Sequence, residues 1–305
     1  MPKICYDSDC LRRLRNNQER MRLIATANTI IESYQAQGFD LTLRQLYYQF
    51  VARDIIPNKD TEYKKLGALL LDARMAGLVD WDAIVDRTRN LRSLAHWDDP
   101  AAIVDACASQ FRIDLWASQR YRPEVWIEKD ALVGVIGGVC EALDVPYFSC
   151  RGYTSVSEIW GAAMRLKKYV KVDQIPIIFH FGDHDPSGID MTRDVRDRMR
   201  TFGVPLEVRR LALNMDQVEQ YNPPPNPAKL TDTRCAGYIA EYQTESSWEL
   251  DALEPAVLAA LITTNIQSIR DEDTWNTSVR DQNASRQQLA SVAERWDDVV
   301  AYVGE

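Results

Sequence analysis

The 305-residue sequence predicts an α/β protein, with a helical N-terminal part, a mainly parallel Rossmann-like sheet and a helical C-terminal extension. Three observations lead to that class. From Arg122-Pro123 onward, short apolar runs alternate with helix-length segments, as in a parallel sheet with right-handed crossovers. Before that point, segments with helical apolar spacing are separated by turn residues. After the Pro-rich run at 222–227 the spacing is again helical.

Residues 15–38 interleave polar and apolar positions and stop at Gly38, which predicts a helix. A second helix is predicted over 41–53 and a turn with Pro57 over 54–58. A third, over 61–76, carries Tyr63, Leu66, Leu69, Leu70 and Ala73 at helical spacing and stops at Gly77. The next piece, LVDWDAIVDRTRN, reads as short strands. Helix–turn–helix followed by short strands is a winged-helix pattern, so 1–120 is expected to be a winged-helix DNA-binding domain. The alternating region predicts strands at 124–128, 145–150, 176–182 and 205–212, and helices at 130–143, 156–170 and 187–201. This places an α/β domain at 121–215. NPPPNP at 222–227 reads as an extended spacer. The remainder of 216–305 reads as a helical extension, including helices at 255–267 and 283–303.

Composition narrows the class of protein. No stretch approaches the roughly 18 apolar residues that span a bilayer, and MPKICYDSDCLRRLR has no apolar signal core, so a cytoplasmic location and no membrane partner are expected. Six scattered cysteines make no Cys-x-x-Cys pair, and there are three histidines, which argues against zinc and redox motifs. The net charge is −9, but residues 1–124 carry 18 Lys/Arg against 17 Asp/Glu and the rest 18 against 28. Basic clusters that include Lys64, Lys65, Arg87, Arg89 and Arg92 lie in the N-terminal part. They read as candidate phosphate contacts, although most such clusters are solvated helix faces.

The richest segment is IPIIFHFGDHDPSGI at 175–189. An apolar strand-like run ends in Asp183 and Asp185, and an earlier run, EVWI, ends in Glu128. Carboxylates at the carboxyl ends of parallel strands stand where open α/β sheets bind ligands. Their mutual repulsion favours a hard cation such as Mg²⁺ between or beside them. An isolated Asp-x-Asp more often caps a turn; the preceding buried strand and the equivalent position of Glu128 favour the metal reading. His184, between the two aspartates, is expected to point away from them and to be structural. Glu249 and Asp251 in SWELDAL read as an exposed helix start rather than as part of the site.

In the predicted helix 41–53, Leu43, Leu46, Tyr47, Phe50 and Val51 make an apolar stripe. Tyr47 therefore reads as core, and Tyr48 as lying off the buried face beside Arg44, four residues earlier. Taken alone, Tyr48 of a Tyr-Tyr pair reads as an ordinary surface aromatic.

WIEKDAL (126–132), RGYTS (151–155) and GDHDPSG (182–188) together resemble the Toprim domain of the topoisomerase VI A subunit and of its relative, the meiotic double-strand-break transesterase. Arg44-Gln-Leu-Tyr-Tyr48 resembles that family's Arg-x-x-Tyr/Phe-Tyr motif in a winged-helix domain that precedes the Toprim domain. The resemblance implies Mg²⁺ held by Glu128, Asp183 and Asp185, and leaves open which of them acts through water. It implies Tyr48 as the nucleophile of DNA cleavage and rejoining through a 5′-phosphotyrosyl link, assisted by Arg44. It also implies double-stranded DNA as partner and a homodimer, in which the metal site of one subunit serves the tyrosine of the other. In the family an ATPase B-type subunit docks on the N-terminal region. Here that region is short and no P-loop motif occurs, so the chain looks more like a compact, stand-alone A-subunit homologue. Two rival readings are a Toprim-type nuclease that uses water, with Tyr48 idle, and a non-catalytic DNA-binding protein.

Overall fold

The computed structural model describes residues 4–85 and 94–304. The N-terminal part begins with α1 (Ser8–Arg15), α2 (Gln18–Gln35), α3 (Leu43–Ala52) and α4 (Asp60–Met75). The helix expected over 15–38 is preceded by a separate one. The chain breaks at Asn16-Asn17 because the Asn17 side chain accepts from the Arg20 amide and starts α2 afresh. Thr42 and Gln45 make a capping box that sets the start of α3. Leu14, Ile24, Ile30, Tyr34, Leu46, Phe50, Leu70 and Ala73 form the core of these helices.

Short strands were expected after α4. The described residues there hold a 3₁₀ turn, Trp81–Ala83, and a single parallel bridge between Leu41 and Ile84. Val79, Ala83 and Ile84 are buried in the helical core, so the apolar residues of this run pack on helices. The rest of the expected strand region, 86–90, lies outside the described residues. A helix that the sequence pattern left unassigned, α5 (Pro100–Gln110), follows; Asp99 caps it and Pro100 occupies its first turn.

The sheet is built from β1 (Tyr121–Ile127), α6 (Val133–Ala142), β2 (Tyr147–Ser149), α7 (Val156–Val170), β3 (Ile175–Phe181), α8 (Pro186–Thr201) and β4 (Glu207–Ala212). All four strands are parallel, in the order β2-β1-β3-β4. The central strands are buried on both faces, and their side chains divide with period two. Val125, Ile127, Phe179 and Phe181 join a core with α6; Trp126 and Ile178 join another with Ile159, Leu166, Val195 and Met199 of α7 and α8. The order reverses between β1 and β3. That topological switch point opens a crevice at the carboxyl ends of the two strands.

The chain continues with α9 (Met215–Tyr221), β5 (Asn226–Pro227), α10 (Cys235–Tyr242), β6 (Ser246–Ser247), a 3₁₀ turn at Leu250–Ala252, α11 (Pro255–Ile269), α12 (Glu272–Glu294) and α13 (Trp296–Val303). The Pro-rich run expected to be a spacer ends in β5, which pairs antiparallel with β6. The segment 246–254 then ties the two halves together. Trp248 bridges to His184, Ala252 enters the N-terminal core, and the Tyr34 hydroxyl donates to the Glu254 carboxylate. Among the described residues no helix is long and apolar enough to cross a membrane.

Candidate metal and phosphate-transfer site

Glu128 follows β1 and Asp183 follows β3, on either side of the switch point. They are linked directly, because the Asp183 amide donates to Glu128 Oε2 at 2.9 Å. The Leu250 amide donates to Asp183 Oδ1 at 2.7 Å. Asp185 caps α8, accepting from the Gly188 amide at 2.6 Å and the Ser187 hydroxyl at 2.9 Å. All three carboxylates line a cleft of about 330 Å³ together with Arg44, Tyr48, Asn58, Lys229 and Glu249. His184 is turned the other way: its Nδ1 lies 2.7 Å from the Tyr238 hydroxyl, and Tyr242 and Trp248 surround the ring.

Against this cleft lies a group that the sequence reading placed at the surface. SWELDAL is not an exposed helix start. Leu250 and Ala252 are buried, and the turn docks on α3, because its apolar residues and the Leu250–Asp183 hydrogen bond draw the chain inward. Glu249 and Asp251 thereby come to Asp183, with carboxylate oxygens of all three within 4.8 Å of one another. This buried acidic group can hold a metal ion, and its all-oxygen donors suit a hard cation. Lys129 already lies among them: its Nζ is 3.0 Å from Asp183 and 2.5 Å from Asp251, and it also pairs with Glu249. Arg44 adds contacts of 2.7 Å to Glu249 and 3.0 Å to Asp251. The only sequence signal for Glu249 and Asp251 was an acid pair interleaved with Trp248, Leu250 and Leu253.

Burial pushes Asp183 up to about 7; Lys129 opposes this, while Glu128, Asp251 and Glu249 add to it. Burial likewise raises Glu128, against the Asp183 N–H. Glu249 is lowered: burial would raise it, but Lys129 and Arg44 outweigh that. A second buried cation, Arg210, supports the loop from below. It donates to the carbonyls of Gly182 (2.9 Å), Asp183 (2.6 Å) and Gly188 (2.8 Å), and burial lowers its pKa to about 10.

The structure corrects the reading of Tyr48. It does not lie off the buried face: Tyr47 and Tyr48 are both 4% exposed. The reason is the 3₁₀ turn Leu250–Ala252, which covers that side of α3. Tyr47 accepts from the Lys59 amide at 2.8 Å, whereas the Tyr48 hydroxyl, at the wall of the cleft, lies 3.5 Å from Arg44 Nη2. The expected activation by Arg44 is outweighed. Burial first, then Asp251 and Glu249, push Tyr48 up to about 12 against Arg44 and Lys129. Of the candidate phosphate contacts, Lys64 and Lys65 are exposed on α4; Lys65 pairs with Glu62 at 2.7 Å and lines a separate groove beside α2. Arg87, Arg89 and Arg92 lie outside the described residues.

No family model, no curated protein and no solved structure matches this chain.

Proposed function

We propose that the chain is a metal-dependent DNA-cleaving and rejoining transesterase of the topoisomerase VI A-subunit type. In this reading the N-terminal helices act as a winged-helix DNA-binding domain and the sheet as a Toprim domain. One observation carries it: Tyr48, Arg44, Glu128, Asp183 and Asp185 line a single cleft. The Tyr48 phenol gives up its proton and its oxygen attacks a backbone phosphorus. The bond to the 3′ oxygen breaks, the released 3′-hydroxyl takes a proton, and a 5′-phosphotyrosyl link remains; the reverse reaction reseals the strand. Arg44 offers its guanidinium to the phosphoryl oxygens as charge builds on them. Glu128, Asp183 and Asp185 would hold Mg²⁺, which supplies Lewis-acid polarisation of the phosphate. A homodimer would bring two such clefts to the two strands.

The test is a denaturing gel of end-labelled duplex DNA incubated with protein and Mg²⁺. The expected result is a covalent, protease-sensitive complex that Tyr48→Phe does not form. Full-rate cutting by Tyr48→Phe with no adduct from wild type would sink the tyrosine mechanism. That outcome is the one expected of a second reading, hydrolysis by water held at the carboxylates. The burial of Tyr48 and its raised pKa favour this alternative. Under it, cutting persists without an adduct and is lost in Asp183→Ala.

A further inference from the structure

Two cations converge on one carboxylate oxygen at the wall of the cleft. Glu249 Oε2 accepts from Arg44 Nη2 at 2.7 Å and from Lys129 Nζ. Asp251 holds the same pair from the other side, its Oδ1 at 2.5 Å from Lys129 and its Oδ2 at 3.0 Å from Arg44 Nε. The two acids are not equivalent. The Asp251 side chain is fully buried, while that of Glu249 is 26% exposed and faces the cleft. Asp251 therefore keeps the cations in place, and Glu249 fills the position that they present to the cleft.

An anion that replaced Glu249 Oε2 would find two charge-assisted donors already set. It would also stand beside the nucleophile, since the same Arg44 Nη2 is 3.5 Å from the Tyr48 hydroxyl. A non-bridging phosphodiester oxygen has the charge and acceptor geometry that a guanidinium and an ammonium recognise in a carboxylate. The backbone around Glu249 is anchored by the β5–β6 pairing, the Trp248–His184 bridge and the Leu250–Asp183 hydrogen bond. Exchange therefore needs only rotation of the Glu249 side chain.

We propose that the position of Glu249 Oε2, between Arg44 and Lys129, is the binding site for a non-bridging oxygen of a DNA phosphodiester, and that Glu249 occupies it as an internal competitor. This rests on the proposed function and adds to it a ligand position and a gate. The experiment measures fluorescence anisotropy of a labelled duplex of about 30 bp, at about 50 mM salt and in EDTA, with titrations repeated at higher salt. Wild type is compared with Glu249→Gln, which keeps the shape without the charge, and with Glu249→Ala as an independent variant; folding is checked by circular dichroism. Both variants are expected to bind roughly fivefold more tightly or better. Their slope of log K against log salt is expected to steepen by about 0.9, one added phosphate contact. Adding Arg44→Met to Glu249→Gln should cancel both changes.

Binding by wild type with no gain in either folded variant overturns the inference and leaves the proposed function standing. A gain that survives Arg44→Met also overturns it, because the tighter binding then does not depend on the Arg44 guanidinium. Failure of every folded variant and of wild type to bind duplex overturns the inference and the proposed function together.

Discussion

Gly188 sits where the Asp183 carbonyl crosses the start of α8, and a Cβ there would stand 2.2 Å from that oxygen. Gly188→Ala must therefore push the Asp183 loop away from α8. The expected cost is about 2–3 kcal/mol or more, seen as a fall in urea midpoint with unchanged m. His180 makes a different kind of demand. It is fully buried, with Nδ1 at 2.9 Å from Thr192 and no partner for Nε2. Burial, then Arg210, lowers its pKa from 6.5 to about 3. Above pH 6.5 neither the folded nor the unfolded chain protonates it, and the folded state carries no penalty. As pH falls from there towards 3, the unfolded chain takes up a proton that the folded chain refuses, so stability is lost across that window. His184, lowered to about 4 chiefly by burial, adds to the loss over much of the same range. The urea midpoint should drop between about pH 7 and about pH 5, while NMR of the folded protein shows the His180 ring still neutral at the lower pH.

At the scale of elements, the turn Leu250–Ala252 does what no longer helix does: it brings Asp251 to both cations and covers Tyr48. Asp251→Ala leaves the mostly buried Lys129 ammonium without its fully buried partner. A loss of roughly 3 kcal/mol is expected. Glu249→Ala removes a partly exposed partner and should cost about 1 kcal/mol or less. Parallel denaturation curves of the two variants check the contrast; equal losses would show that the acids share one role. The strand and helix segments of 121–215 were legible because buried parallel strands and amphipathic helices write their periods into adjacent residues. Asp251 was not legible, since Lys129, which it holds, is 122 residues away. The burial of Tyr48 was hidden for the same reason: the stripe on α3 describes one face, and the turn that covers the neighbouring face belongs to a distant part of the chain. The run after α4 misled because a few apolar residues between turns suit a strand or a helical core equally well.

The whole molecule is acidic, at −9, yet its cleft gathers Arg44 and Lys229 with Glu128, Asp183, Asp185 and Glu249. A divalent cation there would relieve carboxylate repulsion and bind only the folded state. Mg²⁺ should therefore raise the thermal midpoint, with a stabilisation of about 2.7 kcal/mol at a hundredfold excess over Kd. EDTA should reverse the rise and Asp183→Asn should blunt it; differential scanning fluorimetry reads all three. The order in which the cleft's parts occur along the chain has a further effect. Arg44 and Lys129 leave the ribosome well before Asp251, and domains organise as they emerge. A nascent chain thus holds its strand-end acids without the residue that locks both cations, and the site is assembled only after the 246–254 segment has been synthesised and has folded back.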